Sequence, residues 1–282
     1  MSSRLFRDDI LEGQVCLVTG GGTGIGAAAA RELARLGARV IIGSRKKENY
    51  EPAAAGLSKE TGKEVVGVAL DIRDREGLRA TVKQIVQEYG RIDVLVNNGG
   101  GQFFSPAEAI SDKGWDAVIA TNLTGTWNLT RAVADAWMLA NGGRVINMTM
   151  LTRNAFPGMT HSVASRAGVE AMTRNLAVEW ASRGIRINSV APGIVASSGL
   201  RRYPKGLGVL EQAQSVVPLK RLATCEEVAW MVAYLASPAG DYITGQTMTI
   251  DGGKTLWGDM WPIPDPPGLG PIEIPSESWE TP

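Results

Sequence analysis

Residues 19–26 read TGGGTGIG, and no other stretch constrains the fold as tightly. VCLVT before them is an apolar, valine-rich run, and AAAARELARLG (27–37) after them has helical spacing and ends in glycine. A strand that turns through glycines into a helix lets its backbone come close to a bound anion. That anion then rests on the first N–H groups of the helix. Gly20, Gly22, Thr23, Gly24, Ile25 and Gly26 are therefore expected to cradle the pyrophosphate of a dinucleotide. A lone glycine cluster says little, but one placed between strand and helix in a βαβ unit is specific.

The same alternation runs along the chain. VCLVTG (15–20), ARVIIGS (38–44), EVVGVAL (64–70), IDVLVN (92–97), RVINMT (144–149), IRINSV (185–190) and QTMTID (246–251) read as strands, with helical segments such as LRATVKQIVQEYG (78–90) between them. Strands and helices in regular alternation predict an α/β fold, a seven-stranded, mostly parallel sheet with helices on both faces. No compositional break occurs before about Gly258, so residues 1–257 are expected to form one domain. Residues 258–282 hold seven of the 14 prolines and predict an extended tail. Its Trp261, Ile263, Ile272, Ile274 and Trp279 could clasp the domain or a neighbouring subunit.

The 29 basic and 29 acidic residues cancel, without a long basic run, which argues against nucleic acid as a partner. Cys16 and Cys225 stand far apart, and with one histidine in the chain they leave no plausible zinc set. The charged N-terminus lacks the apolar core of a signal peptide. No apolar run approaches the roughly 20 residues that span a bilayer. A soluble, cytoplasmic protein is the expectation.

The second strand ends in GSRKKE. NAD-binding folds place a carboxylate near this point to hold the ribose hydroxyls. Ser44, Arg45 and Lys46 offer instead a hydroxyl and two cations, which suit a ribose 2′-phosphate and predict NADP(H).

TGGGTGIG, Asp71 after the third strand, NNGG at 97–100, Asn122, APG at 191–193 and ITGQTMTIDGG at 243–253 form a series. It resembles the short-chain dehydrogenase/reductase family over about residues 12–254. The resemblance implies a single-domain Rossmann fold, usually assembled as a homotetramer. It implies that Gly20, Gly24 and Gly26 shape the pyrophosphate turn and that Asp71 and Ile72 flank the adenine. Asn97 and Gly99 would line the cofactor. Pro192, Gly193 and Ile194 would grip the nicotinamide carboxamide, with Ser197 where the family commonly has threonine. Asn122 matches the catalytic-site asparagine, and Thr149 lies in the region of the catalytic serine. Each has a plainer reading, Asn122 as a packing amide and Thr149 as a strand residue.

The family's Tyr-x-x-x-Lys is absent. AGVEAMTRNLAVEW (167–180) sets a register in which Ser162 takes the tyrosine position and Arg166 the lysine position, with His161 beside them. Residues four apart share a helix face, so both can still look into one cleft. NNGGGQFFSPAE (97–108), NLTGT (122–126) and HSVASRAGVE (161–170) resemble the trans-2-enoyl-CoA reductase branch, related to the 2,4-dienoyl-CoA reductases. Around SSGLRRYP and the segment ending LWG, the sequence is also similar to bacterial dehydrogenases of citronellol and related acyclic terpenoids.

Serine is a weak acid, and arginine holds its proton. Ketone reduction wants an acid beside a developing alkoxide. Reduction of a conjugated enoyl thioester spreads charge into an enolate that fixed donors can stabilise. The expectation is an NADP(H)-dependent enoyl-CoA reductase. Ser162 and Thr149 would hold the carbonyl oxygen, and Arg166 would bind the nicotinamide ribose. His161 is the competing acid, because it titrates near neutrality. Gln102, Phe103, Phe104, residues 151–157 and a loop over 195–220 would wall the substrate. Arg153, Arg201, Arg202 and Lys205 would either receive coenzyme A phosphates or form an ordinary solvated basic loop. The rival readings are an alcohol or carbonyl dehydrogenase for an apolar substrate and a catalytically silent NADP(H)-binding protein.

Overall fold

Seven strands are present in a computed structural model that describes residues 7–200, 213, 215–258 and 262–270. They are β1 (Val15–Thr19), β2 (Arg39–Ser44), β3 (Val65–Ala69), β4 (Val94–Asn97), β5 (Gly143–Met148), β6 (Ile185–Pro192) and β7 (Thr247–Ile250). They pair in the order β3-β2-β1-β4-β5-β6-β7, and every pairing is parallel. The order reverses between β1 and β4. A crevice opens beyond the carboxyl ends of these strands, which is where ligands of such sheets bind.

Side-chain alternation divides the core into two layers. Cys16, Val18, Val40, Ile42, Val94 and Val96 face one way, towards α1 (Gly24–Arg35), α2 (Lys47–Thr61) and α6 (Cys225–Ala236). Val15, Leu17, Ile41, Leu95, Val145 and Ile187 face the other. They meet α3 (Arg75–Tyr89), the long helix α4 (112–141) and α5 (Thr160–Glu179). Both faces of the sheet are thus covered by helices, as the near-continuous apolar strands require.

Local chemistry sets the helix ends. Asp74 accepts from the N–H groups of Glu76 and Gly77 at the start of α3, and Gly90 closes it in the left-handed conformation with φ +77°. Thr224 and Glu227 form a reciprocal capping box on α6. α4 runs through two wider π turns, Ala120–Thr124 and Ala134–Met138, without breaking. The first of these carries Asn122, and such turns often mark functional positions.

Pro192 ends β6 rather than opening the turn. It pairs with Ile250, and the donor it lacks is supplied next door, where Gly193 N donates to Ile250 O at 2.8 Å. Arg201, Arg202, Lys205, Trp261, Ile272, Ile274 and Trp279 lie outside the described residues. Among the described residues no helix is long and apolar enough to cross a membrane, and no cluster of side chains could hold a metal ion.

Candidate active site

The glycine turn and the end of β4 are tied together. Asn98 Nδ2 donates to Thr19 O at 3.0 Å and to Gly20 O at 3.3 Å, while Thr19 Oγ1 accepts from Asn98 N and Gly99 N. Gly20 and Gly24 have φ of +63° and +55°, which L side chains rarely adopt. A Cβ on Gly26 would press on the Gly20 carbonyl and the Asn98 amide, so α1 can start only this close to the turn with glycine there. Thr23 caps α1 in an extended conformation, and the helix's first turn carries no acidic residue. These features fit a dinucleotide pyrophosphate: a cradle that a Cβ would fill, opening onto a helix N-terminus.

Ser44 ends β2, and Arg45 and Lys46 are exposed at its tip. Lys46 is 3.9 Å from Glu48, a loose contact. Asp71 is clamped by Arg73, whose Nε and Nη2 donate at 3.0 and 2.7 Å. That fork, with the more distant Arg45 charge, outweighs burial and holds its carboxyl below the ordinary carboxylate range. Ile72 packs against Gly125 of α4 and reaches towards Gly99.

Asn97 points elsewhere. Its amide is 2% exposed and donates to Thr130 Oγ1 at 2.9 Å and Asn147 Oδ1 at 2.8 Å. Asn147 donates on to Thr173 at 2.9 Å, which bonds Ser189 at 2.9 Å. This buried chain commits the Asn97 Nδ2 group to the protein's own polar interior. Residue parity carries the signal, since Asn97 shares a face with Leu95.

At the crevice, α4 and α5 are joined through Asn122. Its Oδ1 accepts from Gly101 N at 2.9 Å, and its Nδ2 donates to Ser165 Oγ at 3.2 Å. Ser165 in turn donates to Ser162 O at 2.8 Å, which secures the first turns of α5. Ser162 and Arg166 lie four residues apart on this helix. Arg166 is 8% exposed, and Nη1 donates to Met148 O at 2.7 Å. Among the described residues it makes no ion pair. Burial lowers its pKa to about 10, so it stays a cation at neutral pH. A Cβ on Gly100 would lie 3.2 Å from its Cζ, so the guanidinium and the loop after β4 touch directly.

Ser162 Oγ donates to Gln102 Oε1 at 2.6 Å and lies 3.4 Å from Met150 Sδ. Thr149, expected to share a carbonyl oxygen with Ser162, is otherwise engaged. Its hydroxyl donates to Val190 O at 3.2 Å, and the residue is 6% exposed. The correction has a simple cause: just past β5, the Thr149 hydroxyl faces the neighbouring main chain of β6. Gln102, expected only as substrate wall, takes its place. His161 is fully buried, and neither ring nitrogen makes a well-formed hydrogen bond. Burial disfavours the charged ring and pushes its pKa below the ordinary value, against a loose hydrogen bond to the Met159 main chain.

Gly193 packs on Asp251, Ala223 N donates to Ile194 O at 3.0 Å, and Leu200 N donates to Ser197 O at 3.0 Å. Phe103, Phe104 and Phe156 are 40%, 39% and 37% exposed. They give this side of the crevice an apolar rim.

A family model described as enoyl-(acyl carrier protein) reductase matches residues 20–255. The peroxisomal 2,4-dienoyl-CoA reductase of Danio rerio is 36% identical over 256 residues, 90% of this chain and 85% of the relative. The 3-oxoacyl-(acyl-carrier-protein) reductase FabG of Thermotoga maritima is 40% identical over 247 residues, 87% of this chain and 99% of the relative. The solved citronellol catabolism dehydrogenase AtuB of Pseudomonas aeruginosa PAO1 superposes with a TM-score of 0.79 at 39% identity, covering 89% of this chain and 98% of that one. These relatives are named for different reactions, yet each match covers 87–90% of this chain. The chain belongs to the short-chain dehydrogenase/reductase family and is an oxidoreductase of that class.

Proposed function

We propose that this oxidoreductase uses NADP(H) to reduce the conjugated carbon–carbon double bond of an enoyl-CoA thioester. The observation that carries the reading is the Ser162–Gln102 pair, with its 2.6 Å bond, standing where the family has its tyrosine. Neither side chain is an acid at neutral pH, and the neighbouring Arg166 keeps its proton. Such a site can donate hydrogen bonds but cannot readily surrender a proton to an alkoxide. A delocalised enolate needs only the former.

The nicotinamide, when bound, supplies hydride to the β-carbon. The chain's residues do the rest. Gly20, Gly24 and Gly26 hold the pyrophosphate, and Ser44, Arg45 and Lys46 receive the 2′-phosphate. Arg166, a buried cation with no carboxylate partner among the described residues, binds the nicotinamide ribose and biases the local field towards negative charge. The Ser162 hydroxyl turns from Gln102 to the thioester oxygen, and Gln102 fixes the pivot. Water supplies the α-proton. The relatives named 2,4-dienoyl-CoA reductases support this reading.

A second reading, an alcohol or carbonyl dehydrogenase for an apolar substrate, draws on the likeness to the citronellol catabolism dehydrogenase and on the aromatic rim. One panel separates the two: purified protein with NADPH and crotonyl-CoA, beside NADP+ with citronellol. Oxidation of NADPH by crotonyl-CoA is expected. Ser162→Ala should cut kcat by about a hundredfold to a thousandfold, the scale of losing one fixed donor to developing charge. Turnover of citronellol alone would overturn the thioester reading.

A further inference from the structure

His161 is the chain's only histidine, fully buried, and neither ring nitrogen makes a well-formed hydrogen bond, the Met159 main chain being its one polar influence. Leaving a buried polar group unpaired costs about 1–3 kcal/mol. A leucine or phenylalanine would fill such a space without that cost. The imidazole adjoins Ser162, the residue proposed to meet the substrate oxygen. Phe103 packs on it edge-on, with ring centroids 4.3 Å apart and an interplanar angle of 74°. Phe103 is itself 40% exposed. It comes from the loop after β4, where Gln102 and Phe104 also meet the start of α5, Gln102 at Ser162 and Phe104 at Gly158. At the far side of the ring, a Cβ on Gly114 would lie 3.0 Å from Phe103 Cζ, so the glycine leaves the phenyl space.

We infer that His161 is a second substrate-binding donor: its neutral imidazole N–H bonds the oxygen of the bound substrate after Phe103 turns aside. The inference rests on the crevice acting on an apolar molecule with one carbonyl or hydroxyl oxygen, and it deepens that reading. Ser162 and His161 then approach the oxygen from neighbouring positions on α5. No proton is transferred, and the ring stays neutral throughout. Phe103 contributes by sealing the imidazole from water until an apolar chain displaces it, so the donor is uncovered only when substrate fills the rim. This gives the orphaned nitrogens a purpose that packing alone does not.

The single histidine makes the test direct. With histidine-selective 15N labelling the full-length protein gives one imidazole spin system, recorded free and with NADP+ plus saturating butyryl-CoA, or NADPH plus citronellol. The free-state signal should belong to a neutral ring, and a bound ligand should shift the protonated nitrogen as its hydrogen bond forms. Phe103→Ala should move the free-state signal towards that of a hydrated imidazole. His161→Phe should weaken the bound ligand by about threefold to tenfold while raising Tm, because it removes an unpaired polar group. A merely structural histidine would leave ligand affinity unchanged on that substitution. Binding of either ligand, followed by backbone signals, with the imidazole unmoved overturns the inference. If only citronellol binds, the thioester reading fails, and the imidazole shift with that alcohol decides this one. If neither ligand binds at millimolar concentration, both are overturned.

Discussion

An imidazole held neutral by burial makes stability depend on pH with a definite sign. The ordinary His161 pKa is 6.5, and desolvation lowers it in the fold. Below that ordinary value the unfolded chain binds a proton that the native ring resists, so stability rises with pH there. The contribution is fully present above 6.5 and is lost as pH falls towards the native value. Thermal unfolding should therefore show Tm of the native sequence falling more steeply than that of His161→Phe from about pH 7 to about pH 5. Parallel slopes would mean the ring is as easily protonated folded as unfolded. His161 also marks how far residues can be read from sequence. The register that puts Ser162 and Arg166 on α5 needs only the 3.6-residue helix. What surrounds them comes from afar: Gln102 lies 60 positions from Ser162 in the chain. No local pattern announces that pairing, nor that the Thr149 hydroxyl is taken by Val190 of β6.

Elements were more legible than their polar interiors. All seven strands lie within a few residues of their apolar runs, because burial on both faces leaves continuous valine and isoleucine, a signal that survives without tertiary knowledge. The glycine turn was legible for a similar reason, since positive φ selects glycine locally. The Asn97, Asn147, Thr173 and Ser189 chain leaves no such signal in the sequence beyond strand parity, which places the first two beside Leu95 and Val145. It joins β4, β5, β6 and α5 beneath the crevice, and every member is 3% exposed or less. Removing one member leaves buried partners unpaired, at about 1–3 kcal/mol per group. Asn147→Ala should destabilise by more than a surface change does, as measured by urea unfolding. In a double-mutant cycle with Asn97→Ala, the coupling should be about 0.5–3 kcal/mol. Strict additivity would show that the two amides hold their places independently. Because Gly99, just past β4, and Met148, at the end of β5, meet Thr19 beside the glycine turn and Arg166, loosening this network should also weaken cofactor binding.

For the molecule as a whole, charge cancels: 29 basic residues against 29 acidic give no long-range attraction for an anion. Selectivity for a phosphorylated cofactor must then come from where the charges stand. Arg45 and Lys46 are exposed at the tip of β2 and Arg166 is buried beside the end of β5, while Asp71, after β3, is already spent on Arg73. The proposed preference for NADP(H) is thus an arrangement of a few cations around one crevice. Each charge-assisted hydrogen bond to phosphate contributes about 1.5–3 kcal/mol, and 1.4 kcal/mol is tenfold in affinity. Arg45→Ala with Lys46→Ala should raise the Kd for NADPH by about tenfold to several hundredfold and leave NADH within about threefold. Because both side chains are exposed, added salt should screen them, so NADPH affinity should fall with ionic strength more steeply in the native sequence than in the double variant. Fluorescence titration of each cofactor at two salt concentrations measures both effects. Equal losses for NADPH and NADH would assign the two cations to the solvated start of α2 and remove the 2′-phosphate from the site.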